Sequence, residues 1–163
     1  MVARPIRLFG DPVLSTPAAE VDEFGPSLRR LAGDMLETMD AAGGVGLAAN
    51  QVGVLQRVFV YDCLGMRGAL VNPTWAPISE KVHIGPEGCL SIPGVRAEVA
   101  RHDTVVARGF DVEGRPVSIR ATGLLARCIQ HESDHLDGVL FLSRMEPAER
   151  AAAMAEIRAA GWS

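Results

Sequence analysis

A chain of 163 residues is long enough for one real hydrophobic core, and 48% hydrophobic with 22% charged residues excludes wholesale disorder. A formal net charge of −4 excludes a global basic field for nucleic acid or an anionic membrane surface, and no apolar run approaches the roughly 18 residues of a membrane span. Three cysteines, Cys63, Cys89 and Cys128, stand at unrelated spacings; they read as free thiols in a reducing cytoplasm, available to a metal, and not as a disulfide framework.

The opening MVARPIRLFGDPVL carries two arginines without the apolar run of a signal peptide, so no leader is expected. The first 26 residues read as irregular, punctuated by Pro5, Gly10, Pro12, Pro17 and Pro26. Leu28, Leu31, Met35 and Met39 then recur at helical spacing, with Pro26 and Ser27 as the start and Gly43–Gly44 as the stop. Gly33 inside this helix costs about 1 kcal/mol against alanine. Short β-branched or alternating runs predict strands at 57–62, 69–72, 81–84, 96–100, 104–110 and 117–120, the last two joined by a turn at Glu113-Gly114. Residues 124–136 carry a helical pattern free of Pro and Gly, and a last helix is predicted from Pro147 to Ala160, stopped by Gly161. With no repeat and no Ser/Gly linker, residues 1–163 read as one domain, and the order helix, strands, helix, helix is α+β.

The strongest chemical signal is His131-Glu132-Ser133-Asp134-His135. Residues four apart on a helix share a face, so both imidazoles can converge on one cation, at about 2.0–2.1 Å per bond for zinc. Glu132 stands beside the first ligand without being one and can take a proton from water activated by the ion. The bland alternative is a chance coincidence on a helix; with only four histidines in the chain, the spacing argues against it.

A catalytic site needs a third protein ligand and a position left open for water. Cys128 lies three residues before His131, but seven residues, about 10.5 Å of helix axis, separate it from His135. One helix cannot easily aim all three side chains at one ion, and the plainer reading of Cys128 is a buried core thiol. Cys63 reads the same way. Cys89 lies in the non-helical Glu87-Gly88-Cys89-Leu90-Ser91, able to reach across from elsewhere in the chain. Spacing puts Cys89 ahead of Cys128 without deciding between them.

The segment Gly44-Val45-Gly46-Leu47-Ala48-Ala49-Asn50-Gln51 imitates a dinucleotide fingerprint, with Asp62 placed as the ribose acid. That fingerprint must follow a strand; here a helix precedes it and no repeated βαβ units follow. The glycines instead let backbone approach a ligand closely, with the amide of Gln51 near it.

Taken together, GVGLAANQ at 44–51, EGCLS at 87–91 and QHESDH at 130–135 resemble the three signature motifs of the peptide deformylase family, in order and in separation. The likeness runs from IRLFGDPVL through GLLARCIQHESDHLDG and covers nearly the whole chain. It implies a single compact α+β domain, with a central metal-binding helix surrounded by small, mainly antiparallel β-sheets and flanked by N-terminal and C-terminal helices. It implies Cys89, His131 and His135 as ligands of one divalent ion, Fe(2+) natively, with Zn(2+), Ni(2+) or Co(2+) compatible with the donor set. Glu132 would be the acid/base, with Gln51 and the backbone N–H of Leu90 on the oxyanion. Val45, Gly46 and Gly88 would pair with the substrate backbone, Arg96 would contact the peptide, and Leu124, Val45 and Cys128 would border the methionine side chain. Arg127 stands where an apolar pocket-side residue is common, and Asp134 is expected to pair with Arg101 and brace the helix.

The implied reaction is hydrolysis of the N-formyl group of N-formylmethionyl peptides on nascent chains, with release of formate, by a monomer in the cytoplasm without nucleic-acid or membrane partners. Three glutamates against two arginines in Glu146–Ser163 argue against ribosome docking through the C-terminal helix, which reads better as packed on its own domain. Two rivals remain: a zinc endopeptidase, which shares the histidine motif but usually recruits a third histidine or a glutamate, and a metal-stabilised binding module, which would close its fourth coordination position.

Overall fold

Pro26 at a first helical position opens α1 (Pro26–Ala42), and Gly43, left-handed at φ 70°, stops it. The structure, a computed structural model, describes residues 1–161; Trp162 and Ser163, the end of the C-terminal tail read from sequence, lie outside the described residues. After α1 come β1 (Gly46–Ala48), a 3₁₀ turn at Ala49–Val52, then β2 (Val58–Cys63), β3 (Met66–Pro77), β4 (Val82–Cys89), β5 (Ile92–His102), β6 (Thr104–Phe110) and β7 (Pro116–Thr122). Two helices complete the chain, α2 (Gly123–Leu136) and α3 (Pro147–Ala159). The first 25 residues are irregular apart from a 3₁₀ turn at Pro12–Ser15 and an isolated bridge from Ala19 to Gln56.

Five strands form an antiparallel sheet in the order β1-β2-β3-β6-β7, and β4 pairs with β5 in a separate hairpin. Side chains alternate across a strand, and β2 uses both faces. Phe59, Tyr61 and Cys63 pack with Leu125, Ala126, Cys128 and Ile129 of α2, whereas Val58 and Val60 pack with Leu28, Leu31, Met35 and Met39 of α1. The sheet is thus a middle layer with one helix on each face. A third apolar cluster joins Ile92, Val95 and Val99 of β5 to Phe141, Leu142 and Ile157, which holds α3 against the hairpin.

α2 is enclosed: every residue from Leu125 to Leu136 is buried, against β1, β2, β3, β5, β6 and β7. The α+β class with a central histidine helix agrees with the sequence reading. Several strand limits do not. β3 runs past Asn72 to Pro77, and a register shift between Val71 and Thr74, with Asn72 at φ 51°, breaks the alternation a sequence pattern depends on. β4 and β5 run through Pro86, Gly88, Pro93 and Gly94, residues that argue against a central strand. A two-stranded hairpin has only edge strands, where they are tolerated.

Candidate metal centre

α2 places His131 and His135 one turn apart with ring centroids 4.9 Å apart, and the hairpin brings Cys89 to them at the end of β4. The Cys89 Sγ lies 3.3 Å from His135 Nε2, and the ligand atoms of the three residues all lie within 4.8 Å of one another. Donors around a tetrahedral ion bonded at about 2.0–2.3 Å stand about 3.3–3.8 Å apart, so the trio fits a single ion. The Cys128 thiol points elsewhere, at the Val45 carbonyl 3.6 Å away, as does the Cys63 thiol at 3.6 Å.

The imidazole of His131 is oriented from behind. Its Nδ1 lies 2.8 Å from Glu87 Oε1, which leaves Nε2 for an ion. Glu87 and Cys89 are two residues apart on β4, so strand alternation turns both inward. Arg101 of β5 forks onto the same carboxylate at 2.8 and 2.9 Å and donates through Nη1 to Asp134 at 2.7 Å, the ion pair expected from sequence; Arg127 adds a bond of 2.6 Å. Burial pushes the Glu87 pKa up, but Arg101 and His131 outweigh it and hold the value at about 2. Being below the ordinary 4.5, this shift contributes stability above pH 4.5 that is lost as pH falls toward 2. Acid titration of the metal-free protein is expected to show that loss, on the order of 3 kcal/mol, and Glu87→Gln to flatten it. An unchanged acid limb in the variant would contradict the assignment.

Glu132 is buried beside the trio and its Oε1 has no hydrogen-bond partner. Burial raises its pKa to about 7, the charge of His131 opposing. Burial disfavours the cation at His131, yet Glu132, Cys89 and Glu87 hold its pKa well above the usual histidine value; burial and His131 push His135 well below. An ion entering here therefore displaces a proton. Gly46 leaves the space these groups occupy: a Cβ there would stand 2.6 Å from both Cys128 Sγ and Glu132 Oε2, and both would have to shift.

A cleft of about 760 Å³ opens onto these groups. Val45, Gly46, Gln51, Gly88, Leu90, Arg96, Leu124 and Cys128 line it together with Cys89, His131 and Glu132, while His135 sits behind the cleft wall, 1% exposed. Gln51 is placed by the 3₁₀ turn that follows β1. Its Oε1 accepts from Ala48 N at 2.9 Å and its Nε2 donates to Ser91 Oγ at 3.0 Å, 3.7 Å from Cys89 Sγ. Leu90 caps the cleft at Gly44, where a Cβ would meet Leu90 Cδ1 at 2.7 Å.

Two groups at the site had no role from the sequence. Glu87 stood inside the EGCLS motif, and its readable signal was the two-residue spacing to Cys89. Asn50 donates through Nδ2 to the His135 carbonyl and so ties the glycine-rich segment to the end of α2; one position in an irregular segment gave no signal for that.

The family model described as polypeptide deformylase matches residues 3–151. A protein of Corynebacterium efficiens named peptide deformylase 1 is 60% identical over 166 residues, covering 99% of this chain and 98% of its own. The crystal structure of peptide deformylase from Thermus thermophilus superposes with a TM-score of 0.90 at 44% identity, over 96% of this chain and 94% of that one. That of the peptide deformylase from Ehrlichia chaffeensis in complex with actinonin gives a TM-score of 0.92 at 35% identity, over the whole of both chains.

Proposed function

The chain belongs to the polypeptide deformylase family, and from that premise we propose how its own residues carry out the reaction. It is a hydrolase that removes the N-formyl group from the formylmethionine of newly synthesised peptides and releases formate, which sets aside the endopeptidase and the binding module. Residues 1–163 act as one catalytic domain.

Cys89, His131 and His135 hold one divalent ion; the reading rests on the convergence of their three donors beside the partnerless oxygen of Glu132. A thiolate with two imidazoles makes a soft site, suited to Fe(2+) as the native ion and open to Zn(2+), Ni(2+) or Co(2+). When bound, the ion supplies a Lewis acid that polarises the formyl group and lowers the pKa of water.

Glu132 takes the proton of the water that attacks the formyl carbon, then passes it to the leaving amine as the C–N bond breaks, giving formate and a free N-terminus. Negative charge gathers on the formyl oxygen. Gln51 Nε2, whose second N–H is not used on Ser91, and the Leu90 N–H donate to it. Val45, Gly46 and Gly88 pair with the substrate backbone as an added strand does, Arg96 contacts the peptide, and Val45, Leu124 and Cys128 wall the methionine side chain. Losing one oxyanion donor typically costs about 2.7–4 kcal/mol of barrier, so Gln51→Ala is expected to lower kcat by about 10²–10³-fold with KM little changed. Steady-state formate release measures this, and an unaltered kcat removes Gln51 from the oxyanion site.

In this proposal the enzyme acts in the cytoplasm, on nascent chains, as a monomer. No helix among the described residues is long and apolar enough to cross a membrane. α3 buries Ala153 and Ile157 against its own domain, which supports packing over ribosome docking. The deciding experiment is anaerobic purification, metal analysis and formate release from formyl-Met-Ala-Ser. One ion per chain with turnover is expected; turnover without metal, or metal without turnover, contradicts the reading.

A further inference from the structure

Arg127 is a cation in the wall of the cleft, beside Leu124 and Cys128. Burying a guanidinium is costly unless its donors are satisfied. Here the two terminal nitrogens meet four acceptors. Nη1 donates to Glu87 Oε2 at 2.6 Å and to the Val99 carbonyl at 2.8 Å; Nη2 donates to the His83 carbonyl at 2.8 Å and lies 3.2 Å from His83 Nδ1. The charge is therefore directed under the β4–β5 hairpin and away from the space a substrate side chain would occupy.

The spacing explains how one residue reaches both the hairpin and the centre. Arg127 and His131 are four apart on α2, so they stand on the same face, and both reach the Glu87 carboxylate. Arg127 takes Oε2 and His131 faces Oε1, with Arg101 bonded to each oxygen. Glu87 in turn shares the inward face of β4 with Cys89. A shift of the Glu87 carboxylate therefore moves the imidazole of one donor and the strand that carries another.

We propose that Arg127 is a positioning residue of the metal centre, acting through Glu87 on His131 and on the strand that presents Cys89, and that it does not read the charge of the substrate. This inference rests on the metal site proposed above. Removing the direct hydrogen-bond partner of a metal ligand, here Glu87, typically costs about 10–100-fold in affinity, and Arg127 stands one bond farther out, so its loss is expected at the lower end of that range. Lysine keeps a cation near Glu87 but cannot also satisfy the carbonyls of His83 and Val99, so it restores part of the effect.

The test loads wild type, Arg127→Lys and Arg127→Met with zinc and follows release to a chelator, with selectivity between formyl-Met-Ala-Ser and formyl-Glu-Ala-Ser measured alongside. Release is expected to quicken about threefold in Arg127→Lys and by about tenfold or more in Arg127→Met, with selectivity within about threefold of wild type. Arg4→Met, which removes a remote ion pair with Asp34, calibrates release against lost thermal stability. Equal acceleration at equal loss of Tm overturns the proposal, as does unchanged release in Arg127→Met, or in Arg127→Lys should the methionine variant not fold. A change in Met-over-Glu selectivity overturns the second half of it. A wild-type chain that binds no zinc defeats the metal reading itself, whereas a wild type that holds zinc no better than Arg127→Met defeats this inference alone.

Discussion

Glu132→Ala is expected to hold its full complement of divalent metal while kcat falls by about 10³–10⁴-fold, the upper range for loss of a general acid–base. The retention follows from geometry, since Glu132 is not among the three converging donors and the imidazole of His131 is aimed by Glu87. The loss of turnover follows from its environment. The carboxylate is buried, one oxygen lacks a partner, and burial raises its pKa to about 7. Such a group can accept a proton and return it at neutral pH, where an ordinary glutamate holds protons too weakly. Metal content and formate release, measured on the same preparation, check both halves. Glu132→Gln serves as the variant of matching shape, and either variant turning over at the wild-type rate per bound ion excludes the role.

Cys89→Ala carries the other large effect. It removes one of three donors outright, so the loss of metal affinity is expected to exceed the about 10–100-fold typical of an outer partner. Activity should vanish at stoichiometric metal and return only in part under excess. Cys89→Ser, which offers an oxygen in place of a soft sulfur, should fall between, with selectivity displaced from zinc and iron toward harder ions. Equilibrium competition with a chromophoric chelator measures this. Wild-type affinity in Cys89→Ala would move the third ligand elsewhere, and Cys128 offers no ready substitute because its thiol is turned to the Val45 carbonyl.

The parts of the molecule legible in the sequence are those where one period dominates. α1 announces itself through Leu28, Leu31, Met35 and Met39, all of which are buried, and the histidine pair on α2 is a matter of helical repeat alone. β2 was readable as a strand, but its burial on both faces was not, because that depends on which helices flank the sheet. β1 escaped notice for want of length: three residues cannot display a repeat, and its Gly46 was read only as allowing close approach of backbone to a ligand. The limits of β3 were hidden by its register shift. At the site, helix geometry weighed against Cys128 as third ligand, yet the choice of Cys89 came from the motif resemblance, since strand-to-helix proximity is a tertiary fact. Arg127 looked like a disturbance of an apolar pocket; only the folded hairpin supplies the acceptors that draw its charge away.

The enclosure of α2 joins two properties that most enzymes keep apart. From Leu125 to Leu136 the helix has no outward position that can drift freely, and more than half of that buried length is polar or charged. A substitution that reshapes the pocket from this helix also repacks the middle of the protein, so a broader substrate range and a lower melting point would tend to arrive together. Variation in what this chain accepts is cheaper to obtain from the exposed cleft-lining residues Leu8, Val45 and Arg96, which lie outside that helix.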